Sequence, residues 1–138
     1  MDDIRQISTR LAMLERQAES LRMNLEMLQG HIRELMVARD TVKSIKDAKE
    51  GQEVLFPVGG GSYTFGKITD NSSVIINIGS DVAAKQGIDK AITMLEGRIE
   101  EMKGLLNKTS SSYSEVANAM AELEDKGRQL VEKQSQKK

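Results

Sequence analysis

The residues of this 138-residue chain that most resemble a chemical site are Gly61, Gly66 and Lys67, within the run GSYTFGKI. Their spacing matches the first seven positions of a phosphate-binding loop, in which backbone N–H groups and a lysine hold phosphate oxygens. The eighth position is Ile68, where magnesium requires a Ser or Thr hydroxyl. The polar run DNSS follows after Thr69, so no helix N-terminus is available to a phosphate. The pattern therefore argues against a nucleotide site.

The remaining reactive residue types also fail to form a site. The only histidine, His31, is predicted to be a solvent-exposed helix residue rather than a metal ligand, and cysteine is absent. No acid–base pair or nucleophile constellation is present, so we expect neither enzymatic activity nor a cofactor. Three of the eight methionines, Met13, Met23 and Met27, have outward positions on a predicted helix. They are either isolated surface residues or an adaptable surface for varied apolar partners.

The composition favours long amphipathic helices over a wide globular core. Hydrophobic residues make up 38% and charged residues 30%, but aromatic residues only 3%. Basic and acidic residues nearly balance at a net charge of −1, which argues against nucleic-acid binding. No signal peptide or membrane-spanning run is recognisable, so we expect a cytoplasmic protein that does not associate with membranes.

The central segment, residues 51–86, has the alternation of β-branched and aromatic residues that is typical of strands. Turn residues divide it into four strands, at about 53–58, 62–69, 74–78 and 82–85, which form two hairpins. Gly66 is interpreted as a β-bulge. An isolated ribbon of this size is marginal in water, so the exposed strand edges are predicted to dock on other subunits.

The flanking segments, residues 1–50 and 87–138, are predicted to be coiled-coil helices of a single domain, with a frayed tail at 134–138. The first has apolar residues at spacings of three and four from Ile4 to Leu35, and the second repeats that pattern from Ile88 to Leu130. The polar stretch 109–112 keeps the heptad phase, which favours one continuous helix over a break at that point. Because both helices leave one central segment, they bury their seams by pairing antiparallel. The first turns of one then lie beside the last turns of the other, in an incompletely covered apolar tip.

This layout and the runs EVLFPVGGGSYTFGKI and VIINIGSDVAAK resemble alpha-class subunits of prefoldin, the cochaperone family also called GimC. The fold class is then α+β, a long antiparallel two-helix coiled coil joined by two hairpins that assemble into an oligomeric β-barrel. The resemblance implies a hexamer with four beta-class subunits, which holds non-native polypeptides without ATP and passes them to a group II chaperonin. The chain departs from the family pattern at one point. Members of that family usually have a capping box that begins with Thr or Ser at the start of the second helix, whereas this chain has Gly87 there.

Carried over by position, the resemblance implies two sets of functional residues. The substrate-binding set at the coil tips is Ile4, Ile7, Leu11, Met13, Leu14, Met120, Leu123, Leu130 and Val131. The assembly set is Val54, Phe56, Tyr63, Phe65, Ile76 and Ile78. The alternative function is that of a structural coiled-coil spacer or filament-forming protein, assembled through the same strands.

Overall fold

The computed structural model describes residues 2–136 and consists of two long helices separated by two β-hairpins. The elements are α1 (Asp2–Asp47), β1 (Glu53–Gly59), β2 (Ser62–Lys67), β3 (Ser73–Gly79), β4 (Val82–Gly87) and α2 (Ile88–Gln136). This order confirms the predicted α+β fold class. Packing divides the chain into two units, residues 2–31 with 102–136 and residues 32–101.

The first unit is a pair of helical segments, one from α1 and one from α2. Its predicted seam residues, including Leu11, Leu21 and Leu123, are half-buried, and Val116 is buried. A Cβ atom built on Gly127 would lie 3.7 Å from the Ile7 Cγ2 atom, so the start of α1 packs beside the end of α2. The segments are therefore antiparallel, as the heptad pattern predicts.

Helix α2 has no break within the predicted weak stretch at 109–112. Thr109 is half-buried on the seam, and Tyr113 continues that seam one turn later. Helix α2 extends to Gln136, and residues 137 and 138 lie outside the described part of the chain, so the predicted fraying of the tail at 134–138 stays a prediction. At its other end α2 begins directly after Gly87, with Asp89 in its first turn, where a negative charge is favourable.

The second unit contains both hairpins, the end of α1 and the start of α2. Its core consists of Ile76 from β3 with Ala91 and Leu95 from α2. Side chains from α1, including Leu35 and Val42, pack against this cluster. Two ion pairs link the helices at the edge of the core: Lys43 Nζ lies 3.4 Å from Glu96 Oε1, and Lys46 Nζ lies 2.7 Å from Asp89 Oδ1.

The two hairpins have the same architecture but form separate two-stranded sheets. Each has a register shift two residues before its turn, between Pro57 and Gly59 in the first hairpin and between Asn77 and Gly79 in the second. The two residues of each turn adopt left-handed conformations, Gly60 and Gly61 in one and Ser80 and Asp81 in the other. This geometry matches the right-handed strand twist, and glycine adopts it with no steric penalty from a Cβ atom.

Short polar contacts fix the connections around the hairpins. After α1, Gly51 N–H donates to the Ile68 carbonyl at 2.7 Å, and Asn71 Nδ2 donates to the Ala48 carbonyl at 2.8 Å. Between the hairpins, Asp70 accepts hydrogen bonds from the hydroxyls of Ser72 and Ser73. These contacts connect the end of α1 to the hairpins, and they order the polar run between β2 and β3.

The predicted β-bulge at Gly66 is wrong. Gly66 pairs in register with Val54, and the register shift of this hairpin lies between Pro57 and Gly59. The reason for glycine is close approach, because a Cβ atom built at Gly66 would lie only 2.4 Å from the Phe56 Cε2 atom. The Phe56 ring therefore lies across the glycine, in space that any side chain would fill.

Candidate functional site

The first hairpin presents an apolar face that no layer of the described residues 2–136 covers. Leu55 pairs with Phe65, and Pro57 pairs with Tyr63, so these four side chains lie on one face of the ribbon. Leu55, Tyr63 and Phe65 are all strongly exposed. We call Leu55, Pro57, Tyr63 and Phe65 the hairpin face.

The opposite face of the same ribbon is only slightly better covered. Val54 and Gly66 are half-buried, whereas Phe56 remains exposed although its ring lies over Gly66. Val58, next to the turn, is exposed as well. Within the described chain, β1 and β2 thus expose large apolar side chains on both faces.

The second hairpin has one covered face and one open face. Ile76 is 8% exposed and packs on the helices, whereas the adjacent Ile75 is 76% exposed. The assignment of Ile76 to subunit assembly is therefore corrected. Ile76 belongs to the core of the chain, where it packs β3 against α2. The open residues are Ile75, Ile78 and Val82.

The edges of both ribbons carry unpaired backbone groups. Each sheet has only two strands, so the outer edge of every strand lacks a neighbour within the described residues. Such a ribbon is barely stable in water, and open edges beside exposed apolar side chains are docking surfaces for further strands. The arrangement has the chemistry of a protein–protein interface rather than that of a catalytic site.

The second candidate surface, which we call the tip, comprises residues 3–14 of α1 and 120–133 of α2. Ile4, Ile7, Leu11, Leu14, Met120, Leu123 and Leu130 are half-buried there, whereas Met13 and Val131 are exposed. Half-burial alone does not single out the tip, because Leu21, Leu25 and Leu28 further along α1 have the same status. The distinguishing features are the exposed Met13 and Val131 and two surface grooves beside the seam.

These grooves lie on either side of the contact between α1 and α2, and both are lined by Ile7. The first groove has Leu123 and Leu130 in its lining, together with the cationic side chains of Arg10, Lys126 and Lys133. Asp3, Gln6 and Gln129 complete that lining. The second groove is lined by Ile4, Ser8, Leu11, Gly127, Arg128, Val131 and Glu132 in addition to Ile7. Both grooves could accept an apolar segment of another polypeptide.

Among the described residues two carboxylates have shifted pKa values, and neither lies in these surfaces. Hydrogen bonds from Ser72 and Ser73 hold the pKa of Asp70 well below its ordinary value. A hydrogen bond from Arg22 lowers the pKa of Glu19, and Glu19 in turn raises the pKa of Arg22. Both groups are structural: Asp70 orders a connection, and Arg22 bridges Glu19 and Glu26 along α1.

The residues that resembled a phosphate-binding loop do not form one. Gly61 lies in a turn, Gly66 lies under the Phe56 ring, and Lys67 ends β2. His31 is exposed on α1. Across residues 2–136, no three His, Asp or Glu side chains group into a metal site, and no helix is long and apolar enough to cross a membrane.

Sequence reasoning missed several surface residues that the structure reveals. Leu55, Val58, Ile75 and Val82 are exposed apolar side chains that were not assigned to assembly. Pairing Leu55 with Phe65 across the predicted turn could have identified the hairpin face, because paired residues share a face. The cations beside the tip seam were also missed, although their positions next to heptad residues would have revealed them.

Comparison with known proteins gives one consistent result. The family model described as Prefoldin subunit matches residues 14–133. Prefoldin subunit alpha of Pyrococcus horikoshii is 31% identical over 134 residues, which cover 96% of this chain and 90% of that protein. Prefoldin subunit alpha of Methanosarcina mazei is 30% identical over 126 residues, or 89% of each chain.

A solved structure also has a similar fold. A chain in the cryo-EM structure of filamentous PFD from Methanocaldococcus jannaschii superposes with a TM-score of 0.73 at 23% identity. The match covers 86% of this chain and 98% of the other.

Proposed function

The chain belongs to the prefoldin family of chaperone subunits, and from that premise we propose that it is the alpha-class component of an ATP-independent holdase. In this role its tip binds non-native polypeptides and delivers them to a group II chaperonin in the cytoplasm. The observation that carries the proposal is the exposure of Met13 and Val131 at the tip, where Val131 lines one of the two grooves. A flexible thioether exposed at the tip suits a surface that must accept varied sequences.

Assembly with other prefoldin subunits is the role proposed for the hairpins. The expected complex has two copies of this chain and four beta-class subunits, whose strands complete a β-barrel. Support comes from the hairpin face, where Leu55, Tyr63 and Phe65 remain exposed, and from the unpaired strand edges. A partner strand would satisfy the edge N–H and C=O groups and cover the apolar side chains together.

The tip assignment is tested with exposed methionines of the same helix. Met13 and Met23 are 62% and 59% exposed, so substituting either changes a similar amount of surface. We expect Met13→Ser with Val131→Ser to reduce the suppression of aggregation of a chemically unfolded client by the assembled complex. The control, Met23→Ser with Met27→Ser, should leave that suppression unchanged. Equal losses in both pairs would contradict the tip assignment.

Assembly is tested separately, on the hairpin face. Leu55→Ser with Phe65→Ser should abolish the mixed complex in native mass spectrometry, while the helical circular dichroism of the chain is retained. The same spectra of the unmodified complex report the copy number of each subunit. A complex of unchanged mass and affinity in the double variant would show that these side chains are not at the interface.

The competing function is that of a coiled-coil spacer or filament former. It is favoured by one observation: the solved structure with a similar fold is described as filamentous. Light scattering of the pure chain distinguishes the two functions, since a filament former grows without a second subunit. Growth of this chain alone to large, length-heterogeneous particles would support the filament and argue against a closed hexamer.

A further inference from the structure

We propose that the first tip groove selects apolar client segments that carry Asp or Glu side chains. This inference rests on the proposed holdase function and specifies the chemistry of the segments that the tip prefers. It concerns only the groove lined by Ile7, Leu123 and Leu130 together with Arg10, Lys126 and Lys133. We call this the cationic groove, and its counterpart on the other side of the seam the neutral groove.

The lining of the cationic groove combines apolar side chains with unpaired positive charge. Arg10, Lys126 and Lys133 form no ion pair with another described residue, and Asp3 is the one carboxylate among the described residues of the lining. Long cationic side chains keep their methylene stems on apolar surface while their charged ends remain in water. A bound segment with carboxylates next to its apolar residues can therefore engage both parts at once.

The neutral groove provides a comparison within the same tip. It shares Ile7 with the cationic groove and has a similar volume, about 410 Å³ against about 360 Å³. Its charged residues are one cation and one anion, Arg128 and Glu132. Arg128 also lies 3.5 Å from Asp125, so its charge is partly compensated. The two grooves therefore differ in charge rather than in size.

Charge complementarity indicates that acidic client segments bind in the cationic groove. Three cations against one carboxylate give the described lining of the cationic groove an excess of two positive charges. Exposed ion pairs contribute little individually, but a segment that forms two or three of them gains measurable affinity. The positive field also accelerates encounter with acidic segments, and salt weakens both effects.

Three fluorescent peptides test this selection against the full-length chain in its assembled complex. They have the same length and the same Leu, Val and Phe residues, and differ only in carrying Glu, Gln or Lys between them. At low ionic strength, fluorescence anisotropy should give a Kd for the Glu peptide about five to ten times lower than for the Gln peptide. The Lys peptide should bind most weakly, and about 0.3 M salt should remove most of the difference.

Matched variants assign the preference to the cationic groove. Arg10→Gln, Lys126→Gln and Lys133→Gln together should abolish the preference for the Glu peptide while binding of the Gln peptide is retained. Glutamine is a good helix former, so the helices should remain folded, which circular dichroism checks. The control Arg128→Gln, which alters the neutral groove, should keep the preference.

The peptide and variant measurements have three results that would contradict selection by the cationic groove. Equal affinity for the Glu and Gln peptides, or a preference that persists in the triple variant, would overturn the selection while leaving the holdase function intact. Failure of all three peptides to bind, together with failure to suppress aggregation, would overturn the holdase function and this inference with it. Loss of the preference in Arg128→Gln as well as in the triple variant would show that the charge of the whole tip acts, and not this groove.

Discussion

The two hairpins are near copies in backbone and differ in what supports them. Both have two strands, a register shift just before the turn, and a turn of two residues in left-handed backbone conformations. The second hairpin packs one face on the helices through Ile76, whereas the first exposes large apolar side chains on both faces. The helices therefore support the second hairpin within the described chain, whereas the large apolar side chains of the first hairpin remain exposed there.

This difference shows that strand pattern and strand support are separate properties. Alternation of β-branched and aromatic residues predicts a strand and its two faces, but it does not say which face has a partner. In β3 the neighbours Ile75 and Ile76 are the same residue type, yet one is open and the other buried. Only the position of α2, with Ala91 and Leu95 at the contact, distinguishes them.

The largest expected effect comes from removing the support of the second hairpin. Ile76→Ala deletes buried methyl and methylene groups and should lower the free energy of unfolding of the isolated chain by about 2–4 kcal/mol. Ile75→Ala, the adjacent open position, should lower it by less than about 0.5 kcal/mol. Urea unfolding followed by circular dichroism measures both. Similar losses would mean that the two faces are not differently supported.

The next largest effect is expected at Gly66, which has a counterpart at the same register position of the second hairpin. Gly66→Ala places a methyl group against the Phe56 ring and should destabilise the first hairpin by about 1–3 kcal/mol. Gln86, opposite Val74, has the corresponding register position in the second hairpin, so Gln86→Ala is the matched control and should be mild.

A double variant tests the mechanism at Gly66. Adding Phe56→Ala to Gly66→Ala should cost little more than Phe56→Ala alone, because the clash is then absent. Strictly additive losses would exclude contact between the two positions as the cause.

A smaller effect is expected from exchanging the turns. Ser80 and Asp81 carry Cβ atoms in left-handed conformations with φ of 48° and 61°. Ser80→Gly with Asp81→Gly should stabilise the second hairpin by about 1 kcal/mol, as measured by thermal unfolding. The reverse exchange, Gly60→Ser with Gly61→Asp, should destabilise the first hairpin in the assembled complex by a similar amount. A loss on introducing the glycines would contradict the steric argument.

The smallest effect concerns the connection between the hairpins and depends on pH. Hydrogen bonds from Ser72 and Ser73 lower the pKa of Asp70 in the folded chain, so Asp70 stabilises the fold above the unfolded pKa of about 4. That contribution is lost as pH falls through the lowered folded pKa. Between about pH 5 and pH 2 the Tm of the natural chain should therefore fall more than that of Asp70→Asn.

The exposed carboxylate Glu53 provides the control for this pH effect. Glu53→Gln should leave the acid dependence of the Tm unchanged, since its carboxyl group lies outside the connection between the hairpins. Parallel curves for the natural chain and Asp70→Asn would argue against a role for the Asp70 hydrogen bonds.

Much of the fold could be predicted from the sequence because its signals are periodic. Heptad spacing identified every seam residue from Ile4 to Leu35, all of which are at least half-buried, and turn residues located both hairpins. The prediction at Gly66 is wrong because a glycine within a strand has two explanations, a bulge or the close approach of another group. The Phe56 ring, a cross-strand diagonal neighbour, decides between them only in three dimensions.

The candidate site was less predictable for a related reason. Exposure of Leu55, Ile75 and Val82 depends on which face the helices cover, and local sequence does not encode that choice. Similarly, Arg10 and Lys126 belong to one groove because two distant segments of chain pack antiparallel.

Because the hairpins form two separate sheets, they determine how many neighbouring subunits one chain can join. Within the described residues each sheet has two open edges, so a chain that joins one neighbour through each ribbon is divalent. Divalent building blocks form closed rings when the angle between successive units returns to its starting point, and otherwise grow linearly. The short polar connection that Asp70 orders joins the first hairpin to the second. It is therefore where a small change of angle could convert a closed ring into an open polymer.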